Sequence, residues 1–172
     1  KVNDRDEYLK RPDLGRKLNE SSLKSLQEAQ EAYDIVVVIA DGLSANAVNT
    51  NILPLLKEII PKLEGYKIGF VLATMARVAL CDPIGTALNA KFVVTCIGER
   101  PGLSSPESMG IYTTYAPKLG LTDERRNCIS NIHKNGLDSK QATSLLFYLI
   151  EQSFAKQISG VDIKIDVKKL LY

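Results

Sequence analysis

The sequence predicts an α/β domain of three layers, with helices on both faces of a doubly wound, mainly parallel sheet and a short helical segment ahead of it. Three observations carry this expectation. Ile35–Ala40 and Phe92–Ile97 are apolar, β-rich runs without alternation, which implies strands buried on both faces, as in a parallel sheet. Between such runs lie segments whose apolar residues recur at helical spacing. The repeating units span roughly thirty residues, the size of a β-α-β crossover, and successive right-handed crossovers wind a sheet on both faces. The pattern is Rossmann-like.

Residues 1–33 are mostly polar and read as the helical segment. Ser21 or Ser22 is placed to cap a helix whose Leu23, Leu26, Ala29 and Ala32 fall on one stripe. The main domain is expected over 34–161. After the first strand, Leu55, Leu56, Ile59, Ile60 and Leu63 repeat at helical spacing, with Pro54 in the first turn and Pro61 near the end. Lys67–Ala73 reads as a second strand. Asp82-Pro83 has the form of a cap followed by an N1 proline, leading through Ile84, Ala87 and Leu88. Lys91–Ile97 is the third strand, Ile111–Tyr115 the fourth and Cys128–Ile132 a short fifth. Asp138 or Ser139 opens a long helix with Ala142, Leu145, Leu146, Leu149 and Ile150 on one face. The tail, 162–172, reads as an edge strand with a turn of helix, or as a loose end.

With 172 residues the chain can bury a real core, and its 45% hydrophobic and 24% charged residues are ordinary for a globular protein. The net charge of +2 gives no reason to expect nucleic acid or an anionic membrane surface as a partner. No apolar stretch approaches the roughly 20 residues of a membrane span. The start at Lys1, without Met or a signal-peptide layout, reads as a piece of a longer subunit. Cys81, Cys96 and Cys128 form no C-x-x-C pair, which suits a reduced, cytoplasmic setting.

Several strings stand out as candidates for chemistry. Asp41-Gly42-Leu43-Ser44 follows the first strand, yet neither glycine-rich phosphate motif is present, so a turn capped by Asp41 or Ser44 competes with a ligand loop. Arg77-Val78 follows the second strand, where arginine is most often a solvated charge and valine core. Glu99 comes straight off the third strand, in Gly98-Glu99-Arg100-Pro101-Gly102-Leu103-Ser104-Ser105-Pro106. In open α/β sheets ligands collect at that edge, while a salt bridge to Arg100 or a helix cap is the bland alternative for Glu99. Cys128 lies in Arg126-Asn127-Cys128-Ile129-Ser130-Asn131-Ile132-His133 with neither a zinc-like ligand set nor a nearby base except His133.

Taken together, the strings at Asp41–Ser44, Ala76–Val78, Gly98–Pro106 and Arg126–His133 resemble the small (light) subunit of ethanolamine ammonia-lyase, an adenosylcobalamin-dependent bacterial enzyme. The resemblance runs from about Leu9-Lys10-Arg11-Pro12-Asp13-Leu14-Gly15-Arg16 to about Gly160-Val161. It implies that Val78, Glu99 and Cys128 contact adenosylcobalamin, with Glu99 accepting hydrogen bonds from amides on the corrin rim. It also implies a large-subunit partner that holds most of the ethanolamine site, a cytoplasmic setting that includes bacterial microcompartments, and no catalytic residue and no protein ligand to metal in this chain. Some cobalamin proteins place a histidine on cobalt through an Asp-x-His-x-x-Gly motif. Here Asn131 stands where that acid belongs, which weakens the case for His133. A stand-alone nucleotide-binding protein and a ligand-free interaction module are the competing readings.

Overall fold

The structure, a computed structural model, describes residues 2–29, 31–99, 107–166 and 170. Its elements are α1 (Arg5–Lys10), α2 (Glu20–Glu28), β1 (Ile35–Ala40), α3 (Ala45–Ile59), β2 (Ile68–Ala73), α4 (Cys81–Ala87), β3 (Phe92–Gly98), β4 (Met109–Tyr115), β5 (Arg126–Ile132) and α5 (Ser139–Lys156). The strands form one sheet in the order β2-β1-β3-β4-β5.

That sheet is mixed, and the expectation of a mainly parallel sheet is corrected accordingly. β1 runs parallel to β2 and β3, whereas β3–β4 and β4–β5 are antiparallel. The links 99–108 and 116–125 explain why. A parallel crossover needs a dozen or more residues and usually a helix, and neither link has that length.

Within the parallel half, β1 and β3 are covered on both faces. Ile35, Val37, Phe92, Val94 and Cys96 pack in one core with α3 and α5. Val36, Val38, Ala40, Val93 and Ile97 pack in a second core with α4. Cys96 is a buried core residue, as its place in mid-strand suggests.

Four local expectations change. Asn19, not Ser21 or Ser22, caps α2, accepting a hydrogen bond from Ser22 N at 2.9 Å. α3 begins at Ala45 behind the Ser44 cap, so Pro54 lies inside the helix rather than in its first turn. Asp82 lies within α4, not ahead of it, and is committed to a buried ion pair. In the described part of the tail, 162–166 and 170, no strand forms, Leu170 lies in a helical turn, and Ile163 is buried in the core. Asp138 does cap α5, in a capping box with Gln141.

Candidate functional site

Three loops leave the carboxyl ends of β1, β2 and β3 and lock together. The Asp41 carboxylate accepts hydrogen bonds from Met75 N at 2.9 Å and Ala76 N at 3.2 Å, tying the loop after β1 to the loop after β2. Gly42 has φ +54° and sits so close to Gly98 that a Cβ would come 2.3 Å from the Gly98 carbonyl oxygen. Leu43 N donates to that oxygen at 2.9 Å, Ser44 N to Asp41 O at 3.2 Å, and Ala47 N to Ser44 Oγ at 3.2 Å. These amides would cradle a phosphate in a nucleotide loop, and here they are used within the protein.

The amino-terminal segment braces the same edge. Arg5 donates to the carbonyls of Gly42 and Leu43, each at 2.9 Å. Tyr8 is fully buried, donates its hydroxyl to Ala76 O at 2.7 Å, and lies between two guanidiniums, Arg5 at 4.9 Å and Arg77 at 4.3 Å from the ring centre. Gly15 permits this packing, because a Cβ there would meet Arg77 Cγ at 2.8 Å. Val78 follows as the first residue of a short 3-10 turn and is half-buried.

The sheet supplies a floor. Val38 pairs with Thr95, Thr95 with Tyr112, and Tyr112 with Cys128, so these four residues form one cross-strand row. Directly opposed residues point to the same face, and Val38 and Tyr112 place that face on the α4 side. Two clefts meet there. One, of 390 Å³, is lined by Leu43, Val78, Ile97, Glu99 and Tyr112 among others. The other, of 290 Å³, is lined by Arg16, Arg77, Val78, Tyr112, Asp123 and Cys128 among others. Arg77, Val78 and Tyr112 line both.

Glu99 is half-buried and anchored through one oxygen. Its Oε2 accepts from the Ser108 hydroxyl and from Asn131 N at 3.4 Å. Its Oε1 lies over Gly110, 2.9 Å from where a Cβ would stand. The carboxylate is thereby oriented while Oε1 has no hydrogen bond to the described residues. Arg100–Pro106, including the Arg100 salt bridge considered from sequence, lie outside the described residues.

Cys128 is exposed at the far end of the groove. Desolvation by its surroundings holds its thiol above the usual range, with the Glu99 charge adding to the shift and the Tyr112 hydroxyl opposing it. Tyr112 is shifted upward too, chiefly by burial and then by its contact with Cys128, so it stays a neutral phenol at neutral pH. Under the groove, Arg126 makes a bidentate pair with Asp82 at 2.9 and 2.7 Å and donates to Thr114 Oγ1 at 3.0 Å. Both partners of the pair are almost wholly buried. Burial works against the Arg126 charge, and the bonds to Asp82 outweigh it, so Arg126 titrates above its ordinary value.

His133 belongs to a turn after β5. Its Nδ1 accepts from Asn135 N at 3.3 Å and its carbonyl from Gly136 N at 2.8 Å. Among the described residues there is no group of three or more His, Cys, Asp and Glu able to hold a metal ion. Nor is any helix among them long and apolar enough to cross a membrane.

The structure therefore brings Val78, Glu99 and Cys128, which lie far apart in sequence, onto one groove. Sequence reasoning missed Tyr112, which joins the two clefts, and Tyr8 and Arg16 from the amino-terminal segment. Only the strand pairing between Tyr112 and Cys128 would have exposed the first. Nothing in the pattern of residues 1–33 announces the other two.

The fold is an α/β domain with a mixed sheet, and its groove gathers a carboxylate, a thiol and an apolar side chain at the carboxyl ends of the parallel strands. The sequence profile described as "Ethanolamine ammonia-lyase light chain (EutC)" matches residues 1–164. Curated relatives called "Ethanolamine ammonia-lyase small subunit" match as well. The protein from Pseudomonas syringae pv. tomato is 49% identical over 94% of this chain and 58% of its own length. That from Pseudomonas putida (strain GB-1) is 47% identical over 95% of this chain and 62% of its own length. The chain spans about three-fifths of the length of these relatives, and it belongs to the ethanolamine ammonia-lyase light-chain family.

Proposed function

We propose that this chain carries the adenosylcobalamin-facing wall of an ethanolamine ammonia-lyase, as the small subunit that pairs with a large subunit. Together they would convert ethanolamine to acetaldehyde and ammonia in the cytoplasm or in a bacterial microcompartment. The observation that carries the reading is the convergence of Val78, Glu99 and Cys128 on one groove, with Tyr112 between them. We read residues 34–161 as the binding unit, with β2-β1-β3 as its Rossmann-like, doubly wound part.

The residues present suit such a cofactor. A corrin rim carries amides around an apolar macrocycle, and Glu99 offers them an acceptor whose orientation is already fixed. Val78 and Ile97 offer apolar surface beside it, and Cys128 bounds the far side. An open groove meets only one side of a large ligand, which fits a site completed by a partner subunit. Bound adenosylcobalamin supplies the radical by cleavage of its cobalt–carbon bond, and the protein supplies position and electrostatics. This chain's task is to hold and orient. No residue in it is assigned contact with ethanolamine, which the large subunit is proposed to bind.

The test is reconstitution. The full-length small subunit alone should give no acetaldehyde from ethanolamine and adenosylcobalamin, and adding the large subunit should restore production. Turnover by the isolated small subunit, or full turnover by the large subunit without it, would contradict the reading.

A further inference from the structure

We infer that the cleft between Arg16, Arg77 and Cys128 binds an anionic phosphodiester, the one in the nucleotide tail of the cobalamin. The inference rests on the proposed function and goes beyond it by assigning a charged subsite to residues outside the Val78–Glu99–Cys128 set.

The argument begins with the charges in the 290 Å³ cleft. Arg16, Arg77, Arg126 and Asp123 all line it. Arg126 is neutralised by the buried Asp82, to which both its terminal nitrogens donate. Asp123 stands 3.5 Å from Arg126 Nε with its side chain 93% exposed. Arg16 and Arg77 then share the cleft's lining with a single exposed carboxylate, leaving one positive charge in excess. A phosphodiester carries one negative charge, and guanidinium groups match its oxygens in geometry.

The fold holds these arginines together deliberately. The 3-10 turn Leu14–Arg16 lies against the loop after β2 through the hydrogen bond from Arg77 N to Gly15 O at 2.8 Å. Gly15 has no side chain to keep the turn away. Arg77 is fixed by stacking on Tyr8 and by a bond from its Nη2 to Tyr8 O at 3.2 Å, while its buried Nε has no partner among the described residues. Arg16 is exposed and forms no ion pair with the described residues. The cleft also adjoins Val78, Tyr112 and Cys128, so a ligand lying on that groove can extend its tail into it.

The test uses the complex of full-length small and large subunits and measures equilibrium binding of two probes by visible absorbance. Adenosylcobalamin has the phosphodiester-linked nucleotide; adenosylcobinamide has the same corrin without it. Arg16→Gln should weaken adenosylcobalamin binding about tenfold and leave adenosylcobinamide within about twofold of wild type. Arg16→Lys should recover part of the loss. Equal loss of both corrinoids, or loss that follows dissociation of the large subunit, would overturn the subsite and assign Arg16 to the subunit contact. Wild-type complex that binds neither probe would instead bring down the cofactor reading itself.

Discussion

The two halves of the sheet are built to opposite ends. In β2-β1-β3 the central strands are sealed: every residue of β3 is buried, and β1 is buried except at Ile39, which is partly so. In β5 the pattern breaks, with Cys128, Ser130 and Asn131 exposed among buried neighbours. In the closed half the edge strand β2 leaves Phe70 and Leu72 exposed, while β1 and β3 take their stability from apolar surface buried on both faces. The open half replaces part of that with buried polar bonds: Asp82–Arg126, and Asn127 paired with the Gly160 backbone in both directions at 2.7 and 2.8 Å. Such bonds hold β4 and β5 in place without a covering layer over Tyr112 and Cys128. The antiparallel strands β4 and β5 contribute Tyr112 and Cys128 to the groove, whose floor is held from beneath by these polar bonds.

The largest effect should come from breaking that support. Asp82→Ala leaves Arg126 charged and buried, and should lower unfolding stability of the assembly by about 3–5 kcal/mol in chemical denaturation. Adding Arg126→Met should recover much of the loss, since the stranded charge is then gone. A small effect of Asp82→Ala would mean that the open half does not depend on the pair.

The thiols sharpen the comparison next. Burial pushes Cys96 in the closed half, and Cys81 at the start of α4, up to about 12. Cys128 is shifted in the same direction but lies exposed. A raised pKa lowers the thiolate fraction at any given pH, and the thiolate is the form that reacts. Of these three cysteines, iodoacetamide should therefore label only Cys128 in the native, cofactor-free assembly, at a rate still climbing past pH 9. Adenosylcobalamin should slow the labelling. Labelling of Cys81 or Cys96 ahead of Cys128 would invert the picture.

Gly110 gives a smaller and more local test. A methyl group there would stand 2.9 Å from Glu99 Oε1 and turn the carboxylate away. Gly110→Ala should weaken adenosylcobalamin binding by about 1 kcal/mol, roughly fivefold, while unfolding changes little. The smallest effect is expected at His133, tied into its own turn. His133→Ala should leave affinity within about twofold, and a larger loss would return it to consideration as a cobalt ligand.

Much of this was legible in the sequence, and the limits have physical causes. The runs at Ile35–Ala40 and Phe92–Ile97 announce burial on both faces, and the periodic apolar residues of α5 announce its buried side. The reversal at β4 was not legible: strands expected at Ile111–Tyr115 and Cys128–Ile132 leave links of about a dozen residues, enough for a crossover, and only the longer observed strands shorten them. Asp82 looked like a cap because Asp-Pro commonly starts helices. Only the distant Arg126 reveals its other use, and such pairs leave no local trace. Val78 has no chemical signature at all. It came from family resemblance, whereas Glu99 could be suspected from its place at the end of a buried strand.

The most direct test of the central claim is adenosylcobalamin binding by Glu99→Gln in the two-subunit complex. The amide keeps an oxygen to accept from Ser108 and Asn131, and replaces the Oε1 acceptor with a donor. Affinity should fall by about 1–3 kcal/mol, roughly 5- to 150-fold, with the subunits still assembled and the unfolding midpoint nearly unchanged. Unaltered affinity would contradict the account, and would leave Glu99 as a structural acceptor for its two neighbours.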